Sequence, residues 1–257
     1  MELIDTHCHL TFEQLADDVE AVVARSKAAG IVGWLTVGTD PQQNRKAIEL
    51  ASQFENMYAA VGIHPHDAKD LTAGTLTELK ELAQSEKVVA IGETGLDFHY
   101  NLSPQPDQKQ AFAAQLKIAK ELNLPVIIHC REAFDETMET LDRHGHGLKA
   151  VVFHCFSGSA RQAKIVLDYG FYISFTGVVT FKNAELTRRA AKIVPADRLM
   201  LETDCPYMSP EPMRKQKINE PALMIHTAKY LAELKQMDLT DFANTVTATS
   251  KTFFGLS

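Results

Sequence analysis

Short apolar runs rich in β-branched residues alternate along the chain with longer amphipathic stretches. The runs are Leu3–Thr6, Ile31–Val37, Tyr58–Val61, Val88–Ile91, Val126–Ile128, Ala150–Phe153, Tyr172–Ser174 and Leu199–Leu201. Runs of this length, bounded by polar or glycine-containing segments, predict buried strands. Between them lie helical patterns such as Asp107–Leu122, with Phe112, Leu116, Ile118, Ala119 and Leu122 at three- and four-residue steps. Ser103-Pro104 reads as the start of that helix. Gly30, Gly145 and Gly170 fall where helix C-terminal caps belong. Leu223–Leu234 and Leu239–Phe254 read as closing helices, and Pro206–Glu220 as a long loop after the eighth strand.

Eight strands separated by at least seven helices imply a parallel sheet covered on both faces. That count favours a single (β/α)8 TIM barrel over residues 1–257 rather than an open doubly wound sheet. No glycine-rich phosphate fingerprint follows the first strand, which weakens the dinucleotide-binding alternative.

Polar residues collect just after the apolar runs. The segments are Asp5-Thr6-His7-Cys8-His9, Gly62-Ile63-His64-Pro65-His66, Gly92-Glu93-Thr94-Gly95-Leu96-Asp97, His129-Cys130-Arg131, His154-Cys155-Phe156-Ser157-Gly158 and Glu202-Thr203-Asp204. In a parallel barrel such ends converge on the face where catalytic groups sit. Residues two apart on a strand project to one side, so His7 and His9 can reach one ion. With Glu93, His129, His154 and Asp204 they make a set of imidazoles and carboxylates suited to borderline divalent ions. Six candidate ligands exceed one tetrahedral site that also holds water, so two ions are expected. The bland alternative is polar residues solvated at a rim, which is ordinary; several adjacent ionisable groups buried together are not, unless metal or pairing compensates.

Cys8, Cys130, Cys155 and Cys205 each directly follow a candidate ligand. In extended backbone they point the opposite way, and all four are expected to be buried packing thiols. His64 and His66 read equally as substrate contacts or as a polar loop around Pro65. Arg131 could grip a phosphate bidentately, or pair with Glu132 or Asp135. His144 and His146 read as solvent-facing, His99 and His226 carry no signal, and Trp34 belongs to the core.

Composition narrows the partners. The 257 residues are 45% hydrophobic and 23% charged, with a formal net charge of −7. This is a globular mix, and its acidity argues against binding a long duplex on a basic face. No apolar run approaches the ~20 residues of a membrane helix. The start, Met1-Glu2-Leu3-Ile4-Asp5, lacks the pattern of a signal peptide, so a cytoplasmic protein without membrane partners is expected. The sequence does not fix the oligomeric state, and a monomer is the working expectation.

The polar blocks, together with Gly177-Val178-Val179-Thr180-Phe181-Lys182-Asn183, Glu202-Thr203-Asp204-Cys205-Pro206-Tyr207 and Asn219-Glu220-Pro221, resemble the TatD family of metal-dependent deoxyribonucleases, within the amidohydrolase-like barrels. The resemblance runs in order from residue 5 to 221. It implies that His7, His9, Glu93 and Asp204 hold one divalent ion, and that Glu93 bridges to a second held by His129 and His154. It implies phosphate contacts at His64, His66 and Arg131. The chain departs from the family pattern at Ile218, where arginine is frequent, and at Thr249, where asparagine is frequent.

The leading reading is therefore a 3′–5′ exodeoxyribonuclease acting on single-stranded DNA ends with two divalent ions (Mg, Mn or Zn), in DNA repair or degradation. Asp204 and Glu93 are its catalytic carboxylates, with Asp204 orienting the attacking water or taking its proton. A second reading keeps the ions and cleaves an ester or amide, such as an aminoacyl ester on RNA. A third is a non-catalytic, metal-stabilised interaction module.

Overall fold

Each apolar run becomes a strand in the computed structural model, which describes residues 1–256. The strands are β1 (Leu3–Cys8), β2 (Ile31–Val37), β3 (Met57–Val61), β4 (Val88–Asp97), β5 (Val126–Arg131), β6 (Val151–Phe153), β7 (Tyr172–Phe175) and β8 (Leu199–Leu201). They lie in chain order in one eight-stranded sheet. The pairs β1/β2, β3/β4, β4/β5, β5/β6 and β7/β8 are parallel. Sequential order with helical connections is the (β/α)8 TIM-barrel fold class. Among the described residues, no helix is long and apolar enough to cross a membrane.

The chain separates into two compact units, residues 1–36 with those from 155 on, and residues 37–154. In the first, β1 and β8 meet. Thr6 Oγ1 donates to Leu201 O at 2.9 Å, and Asp204 N donates to His7 O at 2.9 Å. The strand residues Leu3, Ile31, Trp34 and Phe175 and the helical Phe242 are fully buried there, each aliphatic or phenyl group contributing roughly 1.5–3 kcal/mol. Trp34 belongs to the core as expected, its indole N–H donating to Ser26 Oγ at 3.0 Å. In the second unit, Met57, Ile91, Leu116, Phe112 and Phe153 fill the core.

The largest departure from the sequence reading is β4, which runs six residues past Ile91. Polar residues suggested that the strand ended, but Glu93, Thr94 and Asp97 are buried within it. Two glycines let it continue. Gly92 and Gly95 have φ of +155° and +139°. A Cβ on Gly95 would stand 2.0 Å from His129 O, and one on Gly92 would stand 2.7 Å from Ile127 Cβ. Only glycine permits this approach, and the pairing with β5 slips its register between Ile91 and Thr94 to accommodate it.

Other boundaries shift for local reasons. Helix Gln105–Leu122 has Pro104 as its N-cap, and Ser103 makes no cap. Instead Ser103 Oγ donates to His66 O at 2.6 Å and accepts from Lys69 N at 3.1 Å, tying down the segment after His64. Gly30 and Gly170 adopt left-handed conformations after their helices, whereas Gly145 keeps a helical φ of −84° and Gly147 takes the left-handed turn. The closing helices are Met224–Leu234, preceded by a short 3-10 turn at Pro221–Leu223, and Leu239–Phe254.

Candidate metal centre

In the first unit, the ends of β1 and β8 bring three donors together. His7 Nε2 and His9 Nε2 are 3.2 Å apart, as the two-residue period predicts. Asp204 Oδ1 lies 3.7 Å from the first and 3.3 Å from the second. Both imidazoles are buried, and the Asp204 side chain keeps 14% of its surface exposed. Asp204 holds a left-handed φ of +53°, a conformation Asp tolerates better than most residues. The backbone around it is secured on both sides, because His9 N donates to Cys205 O at 2.9 Å and Asn219 Nδ2 donates to Thr203 O at 3.1 Å.

A buried carboxylate clamps these two segments. Asp5 Oδ1 accepts from Thr203 N at 3.0 Å and from His7 N at 3.3 Å, and Oδ2 accepts from Thr203 Oγ1 at 2.6 Å. Burial pushes the Asp5 carboxyl up to about 7, against the hydrogen bonds from Thr203 and His7. Beside it, the fully buried Glu202 accepts from Cys155 N at 2.5 Å and from Ser174 Oγ at 2.7 Å, fixing the start of the segment that carries Asp204.

In the second unit the donors gather on Glu93. Its Oε1 is met by His129 Nδ1 at 2.6 Å, His154 Nε2 at 2.7 Å and His64 Nε2 at 3.4 Å. Burial raises the Glu93 carboxyl, but the attraction of His154 and His64 and the hydrogen bonds from His129 and His154 outweigh it and hold the group well below the usual range. The other face of His129 meets Asp97, Nε2 to Oδ2 at 3.0 Å, and His66 Nε2 contacts the same oxygen at 3.0 Å. Burial of His129 disfavours its charge, yet Asp97 and Glu93 more than compensate and raise it. Burial likewise opposes ionisation of Asp97, but hydrogen bonds from His129, His66 and Tyr100 hold its carboxyl low. Gln108 from helix Gln105–Leu122 grips the Asp97 backbone at both ends, accepting from its N–H at 2.8 Å and donating to its carbonyl at 3.1 Å.

His64 differs from the other imidazoles. Its Nδ1 accepts from His66 N at 3.1 Å, so the proton sits on Nε2 and points towards Glu93. Burial lowers its pKa to about 4, against the pull of Glu93, and the ring is neutral at physiological pH. In this tautomer His64 is a hydrogen-bond donor to the group rather than a ligand, although its ring lies within the cluster.

The donor chemistry fits divalent ions. The atoms of His7, His9 and Asp204 lie within 4.8 Å of one another, as do those of His64, Glu93 and His129. Two imidazole nitrogens aimed at one carboxylate oxygen, as at Asp204, suit a cation better than neutral rings alone. Nitrogen and carboxylate donors of this kind suit Zn or Mn.

One alternative falls away and one expectation needs correction. Arg131 pairs with neither Glu132 nor Asp135; it is exposed, with its guanidinium 4.6 Å from the centroid of the Tyr100 ring. Glu132 instead meets His99 Nδ1 at 2.7 Å, a contact the sequence did not signal. Only Cys8 and Cys205 are fully buried, whereas Cys130 and Cys155 are half-buried. Cys155 takes a left-handed φ of +44°, so strict strand alternation no longer sets its direction. Burial still pushes the Cys130 thiol up to about 11, against the Thr137 hydrogen bond. Asp5, Asp97 and Glu202 were not singled out from sequence. Their signal was a carboxylate inside or at the end of an apolar run, where an ionisable group must find partners. Of the family departures, Ile218 is exposed, and Thr249 packs within the last helix with its hydroxyl donating to Thr245 O.

A parallel (β/α)8 scaffold with imidazole and carboxylate donors at its strand ends defines the class of metal-dependent barrel hydrolases. The profile described as TatD related DNase matches residues 4–255. A Bacillus subtilis relative named uncharacterized metal-dependent hydrolase YabD is 42% identical, over 99% of this chain and 100% of its own. The Escherichia coli protein named 3′-5′ ssDNA/RNA exonuclease TatD is 38% identical, over 99% and 100%. The crystal structure of the E. coli TatD homologue YJJV superimposes with a TM-score of 0.93 at 31% identity, covering 99% of this chain and 98% of that one. The chain belongs to the TatD family of metal-dependent hydrolases.

Proposed function

We propose that this hydrolase cleaves phosphodiester bonds of single-stranded polynucleotides and removes nucleotides from the 3′ end, with single-stranded DNA ends as its substrate. The observation that carries the reading is the pair of donor groups at strand ends, one on His7, His9 and Asp204 and one on Glu93. Support for the substrate comes from the exonuclease relatives at 38% identity. The acidic net charge of −7 suits a strand end entering a pocket better than a duplex lying along a surface.

In this reading His7, His9 and Asp204 would hold one divalent ion, and Glu93, His129 and His154 a second, with Mg, Mn or Zn as candidates. Such ions supply water activation near neutral pH and stabilise charge on the phosphoryl and leaving oxygens. The partly exposed Asp204 orients the attacking water and takes its proton. His64, neutral and with its proton on Nε2, donates to a phosphate oxygen, and His66 and Arg131 complete the phosphate contacts. Asp97 fixes the ring of His129, because the partner of a ligating imidazole sets its tautomer.

The test is metal analysis of the purified protein, paired with digestion of 3′-labelled single-stranded DNA under added Mg, Mn or Zn. The expected result is chelator-sensitive release of mononucleotides that Asp204→Ala abolishes. Release of an amino acid from aminoacyl-RNA, with no nucleotide release, would refute the nuclease reading and favour ester hydrolysis.

A further inference from the structure

The phosphodiester chemistry proposed above leaves unused an aromatic pair that adjoins His9. Phe12 stacks face to face on His9, with ring centroids 4.5 Å apart and planes within 11°. Tyr207 meets Phe12 edge-on at 6.4 Å. The Tyr207 backbone is pinned, its N–H donating to Asp204 O at 3.1 Å and its carbonyl accepting from Asn219 Nδ2 at 2.7 Å. Yet Tyr207 is 49% exposed, and Ile218 on the same loop is 42% exposed. A large aromatic ring held in water by a well-bonded backbone, three residues from a candidate metal ligand, is preorganised for contact with a partner.

The same loop concentrates positive charge. Although the chain carries a net charge of −7, Arg214, Lys215 and Lys217 are exposed within four positions. Ser209 Oγ donates to Gln216 O at 2.7 Å, which ties the backbone between Lys215 and Lys217 to a residue two positions from Tyr207. Arg214 is held over the Phe181 ring at 3.6 Å. Exposed aromatic faces and cations on one loop are the two elements with which proteins hold single-stranded nucleic acid.

We propose that Phe12 and Tyr207 form a stacking step for a nucleobase flanking the scissile phosphate, with Lys215 and Lys217 contacting the adjoining backbone phosphates. This rests on the nuclease reading and deepens it. Stacking needs a free π-face, which a base inside a duplex does not offer, so the step selects single strands. Because every base has such a face, it does so without choosing among bases.

The test compares kcat/KM on oligothymidylate with kcat/KM on an oligomer of equal length whose last two 3′ nucleotides are stable abasic residues. Tyr207→Ala is expected to reduce the base-bearing over abasic ratio roughly ten-fold, and Tyr207→Phe to keep it. Tyr169→Ala, removing a comparably exposed tyrosine elsewhere, is expected to leave the ratio unchanged. An oligomer ending in 2-aminopurine is expected to lose fluorescence on binding the parent protein, and less on binding Tyr207→Ala. Replacing Lys215 and Lys217 with Ala is expected to flatten the dependence of log kcat/KM on log salt by about 0.7 per cation. Equal loss on both oligomers in Tyr207→Ala, with unchanged 2-aminopurine quenching, would assign the ring to loop structure and overturn the proposal. A parent protein inactive on both oligomers under Mg, Mn and Zn would instead overturn the nuclease reading, and the stacking step with it.

Discussion

Asp97→Asn is the most informative single change, because it alters protonation while keeping shape. Asp97 Oδ2 accepts from His129 Nε2 and from His66 Nε2, each at 3.0 Å, and Oδ1 accepts from Tyr100 N at 2.8 Å. His129 Nδ1 donates to Glu93 at 2.6 Å; with the other proton kept on Nε2 by Asp97, Nδ1 is the nitrogen whose proton a cation would displace. An asparagine has one acceptor oxygen. If that oxygen stays on Tyr100 N, the amide NH2 faces both imidazoles and favours a bare Nε2. The neutral ring then keeps its single proton on Nδ1, on the lone pair a cation would need. Changes to partners of ligating histidines cost about 10- to 100-fold in metal affinity, equivalent to roughly 1.4–2.7 kcal/mol. Competition against a chromophoric chelator measures that loss, and nitrogen NMR of the imidazoles reports the tautomer. Metal affinity within two-fold of the parent protein, with His129 still protonated on Nε2, would refute the reasoning.

Other outcomes follow from the same geometry. Thr203→Val removes the hydroxyl that donates to the buried Asp5 at 2.6 Å and accepts from Cys205 N at 3.2 Å; a stability loss of about 1–3 kcal/mol is expected in denaturant unfolding, and a loss near zero would mean Asp5 is satisfied without it. Burial lowers Lys235 to about 8 from 10.5. The unfolded chain therefore binds more protons between those values, and stability rises as pH climbs through that window. Urea midpoints at pH 7.5 and pH 10 should show this rise in the parent protein and a smaller one in Lys235→Met. Cys130, with its thiol raised to about 11, should resist alkylation at neutral pH and label only as pH approaches that value, as read by mass spectrometry. Chelation should lower the melting temperature and restored Mn or Zn should raise it, since an ion that binds only the folded chain stabilises it by mass action.

The sequence by itself located the strand starts to within one residue, and with them the polar segments that carry the candidate donors. Ile31–Val37 and Leu199–Leu201 were legible to the residue, because a short apolar run between polar segments has few other ways to leave water. The two-residue spacing of His7 and His9 likewise fixed that their rings share a side. Tertiary structure decided the rest. That β4 continues through Glu93 to Asp97 depends on Gly92 and Gly95 lying against β5, which no pattern within β4 can report. The hydroxyl that donates to Asp5 lies 198 positions away at Thr203. The tautomer of His64 follows from a backbone N–H two residues on, after the chain has turned. Arg131 took the face of Tyr100 over the carboxylates nearest in sequence. Local periodicity fixes which way a side chain points, but hydrogen bonds and charges are settled by whichever groups folding brings within about 3 Å, and most of those are remote along the chain.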